Sequence, residues 1–191
     1  SNSMEAFCTP GVDMAYFLGN VRKIGFDLLR GQGRGSGLVP PTETQMLKSM
    51  EEVYERVEQL SKLAGYKIVI SQAERAKLLC TESCRQFGHC YAMNGEAAFV
   101  DASGKIYACS SLIGNEDFYI GNVQDGLDNT LVKKVSDKIF QSMSFCRECT
   151  DFKLCGGGCF ARWYGSGAKV AYQSECAMKR ISIKMIGESE K

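Results

Sequence analysis

Residues 146–159 read CRECTDFKLCGGGC and set four thiols at C-x2-C-x5-C-x3-C in one short run. Two thiols two residues apart can turn inward onto one metal centre. Thiolates repeated at such spacing point to a metal or iron–sulfur site. Gly156, Gly157 and Gly158 let the backbone turn tightly and approach that centre without Cβ clashes. Cys84, Cys90 and Cys109 precede the run and Cys176 follows it. Eight thiols make two complete four-coordinate sites, and the ten in the chain leave two over. Cys146, Cys149 and Cys155 are close enough in sequence to share one centre. Cys159 need not join them, because in chains with two clusters the last cysteine of such a run can serve the other cluster.

The remaining reactive side chains offer less. The single histidine, His89, rules out zinc-finger chemistry with two thiolates and two imidazoles, and leaves no Ser/His/Asp arrangement to argue. His89 itself, between Gly88 and Cys90, reads as a residue behind the ligands or facing solvent. Trp163 and Tyr164 read as packing over a centre, and Lys179-Arg180 as a solvated face.

The composition narrows the setting. A length of 191 residues suits one compact domain, or one and a half. A net charge of +1 calls for neither nucleic acid nor an anionic membrane. No apolar run approaches the ~18 residues of a spanning helix, and no secretory signal opens the sequence. Ser1-Asn2-Ser3 before Met4 reads as an expression scar. The reducing cytoplasm is therefore the expected location, where ten cysteines read as metal ligands rather than disulfides. A secreted disulfide scaffold would be shorter and poorer in helix.

The elements that position these thiols are of mixed type. Residues 12–24 suit a short helix and residues 26–30 a strand. Residues 31–37, GQGRGSG, read as a loop: Ser36 stands where a dinucleotide fingerprint would close, and no Gly-Lys-Ser/Thr follows. The firmest helix covers residues 42–64. Thr42 and Gln45 make a capping box, Met46, Met50, Val53, Val57, Leu60 and Ala64 form one stripe, and Gly65 follows as C-cap. Residues 66–70 then read as a strand, giving a βα repeat of parallel-sheet type. Ser71 and Glu74 offer a second capping box, starting a helix toward Cys80.

From Cys80 the elements shorten and Cys and Gly become dense, which puts a boundary near residue 75 and divides the chain into 1–75 and 76–191. Residues 96–101 and 105–109 suggest a β-hairpin with Gly104 in its turn, and residues 119–123 another strand. Residues 128–143 read as a helix burying Leu131, Val135, Ile139 and Phe140. A last helix over residues 175–186 puts Cys176 in its first turn, where backbone N–H groups favour a thiolate. The expected fold class is α+β.

At this point the pattern resembles the SPASM domain, the C-terminal auxiliary iron–sulfur domain of radical SAM enzymes that modify peptides and proteins. Cys90, Gly104 and Cys109 stand at the C-x(9–15)-G-x4-C spacing of that motif. Cys146, Cys149, Cys155, Cys159 and Cys176 supply its second half. The Gly-Gly-Cys ending and Ile120-Gly121-Asn122-Val123 are also similar, and the likeness covers residues 84–178. Cys84, at C-x5-C from Cys90, matches an eighth cysteine found in sulfatase-maturing members. Cys80 is its rival, and Cys8 is left over.

The resemblance implies two interleaved [4Fe–4S] clusters. Cys84, Cys90, Cys109 and Cys159 would hold auxiliary cluster I, and Cys146, Cys149, Cys155 and Cys176 auxiliary cluster II. It also implies a fold of terminal βα units from a partial barrel, followed by a Cys-rich domain with a β-hairpin and short helices. A peptide or protein substrate and a missing radical SAM catalytic half would be the partners. The departure from the family is Phe87. Cys80-x3-Cys84 begins the C-x3-C-x2-C motif of the SAM cluster, but Phe87 stands where the third thiol belongs. The chain thus resembles the C-terminal portion of such an enzyme and should not cleave S-adenosylmethionine alone. A zinc-stabilised four-thiolate module, or a free-standing electron carrier, is the alternative.

Overall fold

The structure, a computed structural model, describes residues 5–28, 39–81, 90–165 and 172–189. The first part of the chain forms α1 (Glu5–Phe17), β1 (Lys23–Ile24), α2 (Glu43–Ala64), β2 (Val69–Ile70) and α3 (Ser71–Thr81). α2 begins as its sequence dictates. The Thr42 hydroxyl accepts from Gln45 N, the Gln45 side chain accepts from Thr42 N, and Gly65 ends the helix in the left-handed conformation. β1 and β2 pair in parallel, Lys23 with Val69 and Ile24 with Ile70, so α2 is the crossover of the expected βα repeat.

Three local readings shift. α1 starts and ends earlier than residues 12–24, closing into Gly19 at φ 76°. A strand falls on residues 23–24, where pairing with β2 fixes it; of the expected 26–30, residues 26–28 are not in a strand and 29–30 lie outside the described residues. Glu74, expected to cap Ser71, instead makes an ion pair with Lys23. The loop at residues 31–37 lies outside the described residues.

The stripe on α2 builds the first core. Met46, Met50, Val53, Val57 and Leu60 are buried with Val12, Ile68 and Ile70. The far end of the chain completes that core through Ala177, Met178 and Ile181 of the last helix. Burying side chains of this size stabilises by about 1.5–3 kcal/mol each. Tyr54 Oη donates to Ser182 Oγ at 2.9 Å, and Ser182 Oγ donates to the Met178 carbonyl at 2.7 Å, pinning α2 to that helix.

The second part forms α4 (Tyr91–Asn94), β3 (Phe99–Val100), β4 (Lys105–Tyr107), β5 (Tyr119–Asn122), β6 (Gly126–Leu127), α5 (Asn129–Ser142), α6 (Ser144–Arg147), α7 (Phe152–Cys155), α8 (Phe160–Gly165) and α9 (Gln173–Ser189). Short 3-10 turns at Ser110–Leu112 and Glu116–Phe118 link β4 to β5. The four strands make an antiparallel sheet in the order β3-β4-β5-β6. The expected hairpin is its first pair. Asp101 Oδ1 accepts from Ser103 N at 2.8 Å and Lys105 N at 3.1 Å, closing the turn that contains Gly104. α5 is capped by Asp128 and buries Val135 and Ile139, whereas Leu131 and Phe140 are half-buried. The second core joins these helices to Ile106, Phe118, Ile120, Met143 and Phe160. Among the described residues no helix is long and apolar enough to cross a membrane.

Gly121 is where β5 meets β6 most closely. Its φ is 150°, and a Cβ there would stand 2.2 Å from the Gly126 carbonyl oxygen. Backbone on both sides leaves no flexible side chain to move aside. Gly121→Ala is therefore expected to destabilise the chain by about 3 kcal/mol, since overpacking against backbone costs at the upper end of its range. Urea denaturation checks this, and an unchanged midpoint would contradict it.

Candidate metal centre

Seven cysteines have described side chains, none in a disulfide and all half-buried: Cys90, Cys109, Cys146, Cys149, Cys155, Cys159 and Cys176. Cys84 lies outside the described residues, as does His89. Cys80 falls in the last turn of α3 and Cys8 in α1.

The fold sorts the seven into two sets. Cys90 feels Cys159 and Cys109, although the three are far apart in sequence. Each opens a helical turn: Cys90 precedes α4, Cys109 precedes the 110–112 turn, and Cys159 precedes α8. Thiols at such positions meet backbone N–H groups before those groups are used up in the helix. In the second set Cys155 feels Cys149, and Cys176 feels both Cys155 and Cys146. Cys155 and Cys159, four residues apart, thus belong to different sets.

The second set is built on a succession of tight turns. Cys149 N donates to the Cys146 carbonyl at 3.1 Å, Phe152 N to the Cys149 carbonyl at 3.1 Å, and Cys155 N to the Asp151 carbonyl at 2.8 Å. Gly156 and Gly157 then take φ 68° and 83°, which reverse the chain between the two sets. α9 delivers Cys176 in its first turn, as its sequence suggests.

Burial governs the thiols. It pushes Cys90 up to about 11, with the Met93 amide opposing and Cys159 and Cys109 adding. It pushes Cys176 up to about 11, reinforced by Cys155, Cys146 and Glu175. Cys146 and Cys155 are raised too, again by burial first. The Gly158 amide and Lys179 oppose the rise at Cys146, and Lys179 and the Gly157 amide oppose it at Cys155. Burial therefore keeps Cys90, Cys146, Cys155 and Cys176 protonated in the metal-free chain, and metal binding must release those protons. Among the described residues no three His, Cys, Asp or Glu side chains stand ready to grip an ion. The chain supplies the grouping; closing onto a metal requires the thiols to ionise and rotate.

A pH dependence follows. These thiols hold protons in the folded chain at pH values where the unfolded chain has lost them. Their contribution is present below an ordinary thiol pKa near 9 and is lost as pH rises through about 11. The denaturation midpoint of the metal-free chain is expected to fall across that window. With metal bound the sign reverses, and acid should strip the metal. A metal-free midpoint that is flat from pH 9 to 11 would contradict this.

Sequence reasoning missed what stands behind the thiols. Lys179, expected on a solvated face, has a side chain only 14% exposed and donates to the Gly157 carbonyl. Arg180 is half-exposed but bonded, with Nε donating to Asp151 Oδ2 at 3.0 Å and a further bond to Cys149. Glu175 is buried; its carboxylate accepts from Cys159 N at 3.1 and 3.2 Å and from Arg162 Nη1 at 2.8 Å. Arg162 is buried as well. Its Nε donates to the Leu28 carbonyl at 3.0 Å, and its other terminal nitrogen pairs with Asp27. One signal was in the sequence: Glu175 and Lys179 follow the helical i, i+4 spacing around Cys176. Trp163 and Tyr164 do pack beside the thiols, in an aromatic group with Phe118, Phe145 and Phe160. A cavity of about 320 Å³ touches Cys155, Cys159, Glu175 and Lys179 on one side and Phe26 and Asp27, just beyond β1, on the other.

No family model and no curated protein matches the chain. Among solved structures it is similar to native anSMEcpe with bound AdoMet, at a TM-score of 0.56 and 19% identity, over 84% of this chain. At that identity the likeness is one of fold. The chain spans 44% of the length of that protein.

Proposed function

We propose that this chain is the C-terminal, cluster-binding portion of a radical SAM maturase that modifies a peptide or protein. Residues 1–75 would be the last βα units of the partial barrel and residues 76–191 the SPASM domain. In this reading Cys84, Cys90, Cys109 and Cys159 hold one [4Fe–4S] cluster. Cys146, Cys149, Cys155 and Cys176 hold the other. The supporting observation is the sorting of the described thiols into two sets that interleave in sequence, with Cys155 and Cys159 on opposite sides.

The donor sets suit the group. The described members are all thiols, with backbone amides from Met93, Gly157 and Gly158 directed at sulfur and two cations beside the second set. The neighbour in fold, native anSMEcpe, has bound AdoMet, the molecule that radical SAM chemistry cleaves. The two-stranded parallel sheet also suits the reading, because parallel strands normally sit inside larger covered sheets. Met14 and Phe17 of α1 are exposed apolar side chains that a catalytic half would cover. Bound [4Fe–4S] clusters would supply one-electron chemistry, accepting or relaying the electron left on a substrate radical. The chain's own part is to hold sulfur, exclude water with the Phe118–Trp163 aromatic group and present Gly-turn amides. Because Phe87 replaces the third thiol of the SAM-cluster motif, S-adenosylmethionine cleavage belongs to the other half.

Anaerobic reconstitution with iron and sulfide tests the proposal. About eight irons and eight sulfides per chain, with broad absorbance near ~400 nm, are expected. Zinc binding with no chromophore after reconstitution would overturn it and leave a zinc-stabilised module.

A further inference from the structure

We infer that Lys179 sets the charge of the second four-cysteine site and raises its reduction potential. The inference rests on the proposed assignment of Cys146, Cys149, Cys155 and Cys176 as cluster ligands.

The geometry is specific. Lys179 Nζ donates to the Gly157 carbonyl oxygen, and Cys155 Sγ lies 3.8 Å from the same oxygen. The ammonium and a ligand sulfur thus meet at one acceptor. Lys179 follows Cys176 by three residues on α9, which puts both on one helix face. Its side chain is 14% exposed, so water screens its charge little. Its charge is felt at Cys146 and at Cys155.

The Glu175 carboxylate opposes Lys179 at Cys146 and Cys155, where the ammonium is the larger influence, and acts at Cys176 as well. Glu175 stands 3.8 Å from Lys179 but is bonded at 2.8 Å to Arg162, which also pairs with Asp27. Arg180 reaches Cys149 and is held by Asp151 and Glu43. Lys179 is a buried cation among the described residues close to ligand sulfur, with the Glu175 carboxylate 3.8 Å away.

A four-thiolate [4Fe–4S] cluster gains one negative charge when it takes up one electron. A buried ammonium beside its sulfurs favours that reduced form, so removing the ammonium lowers the potential.

The test is a potentiometric titration of the anaerobically reconstituted chain, read by electron paramagnetic resonance and absorbance, with iron counted in every sample. Lys179→Gln removes the charge and keeps an N–H donor for the Gly157 carbonyl; Lys179→Arg keeps the charge. The expected result for Lys179→Gln is a fall of one midpoint by about tenfold in the reduction equilibrium, or about 59 mV for one electron. The other midpoint should stay in place, and Lys179→Arg should behave as the unsubstituted chain. Full iron with both midpoints unmoved in Lys179→Gln would overturn the inference and leave the cluster assignment standing. Loss of half the iron from Lys179→Gln would also overturn it, since Lys179 would then be needed to build the site. Failure of the unsubstituted chain to take up iron would remove the assignment and the inference together.

Discussion

A chain carrying Cys155→Ser is expected to retain about four irons after reconstitution where the unsubstituted chain retains about eight. In the proposed assignment Cys155 shares a site with Cys146, Cys149 and Cys176, and removing one of four thiolates opens that site. Cys159→Ser should also halve the iron, but by emptying the other site, since Cys159 groups with Cys90 and Cys109. The double variants carry the argument further. Cys155→Ser with Cys176→Ser should be no worse than either alone, because both act on one site. Cys155→Ser with Cys159→Ser should lose nearly all iron. Ligands that pair by proximity in sequence would give the opposite pattern, with the 155/159 pair equal to either single variant.

Arg162→Met is expected to destabilise the metal-free chain by about 3–5 kcal/mol, the range for removing one partner of a buried ion pair. The Arg162 side chain is 8% exposed and that of Glu175 4%. Arg162 ties together Glu175, Asp27 and the Leu28 carbonyl, so it joins α8 and α9 to the chain just beyond β1. Without it the Glu175 carboxylate keeps the Cys159 amide and a Lys179 ammonium 3.8 Å away. Chemical denaturation followed by circular dichroism gives the loss directly. Disrupting the exposed Lys105–Glu116 pair should leave the midpoint unchanged, because water and salt screen it. Equal effects from the two pairs would contradict the reading of Arg162 as a buried tie.

What could be read from sequence divides along the range of the forces involved. The capping box of Thr42 and Gln45, the α2 stripe and the hairpin around Gly104 rest on contacts within a few residues, and all appear as expected. The strand at Lys23–Ile24 was displaced in the reading, because its partner, Val69–Ile70, lies across a whole crossover helix. Lys179 was misplaced for the same reason. Its i, i+4 neighbours include Glu175, but the surface it faces is the glycine turn after α7, some twenty residues earlier. The pairing of Arg162 with Glu175 carried no local signal, since thirteen residues separate them and the third partner, Asp27, is farther still. For the cysteines, spacing says only that Cys159 need not share a centre with Cys155, and the electrostatic groupings of the described thiols are consistent with that.

Native mass spectrometry of the anaerobically reconstituted chain measures the central claim most directly, since it weighs intact protein with whatever it holds. The account predicts a main species carrying two [4Fe–4S] clusters, and a species with one cluster for both Cys155→Ser and Cys159→Ser. A chain that carries zinc ions, or one cluster that survives in neither single variant, would contradict two interleaved four-thiolate sites.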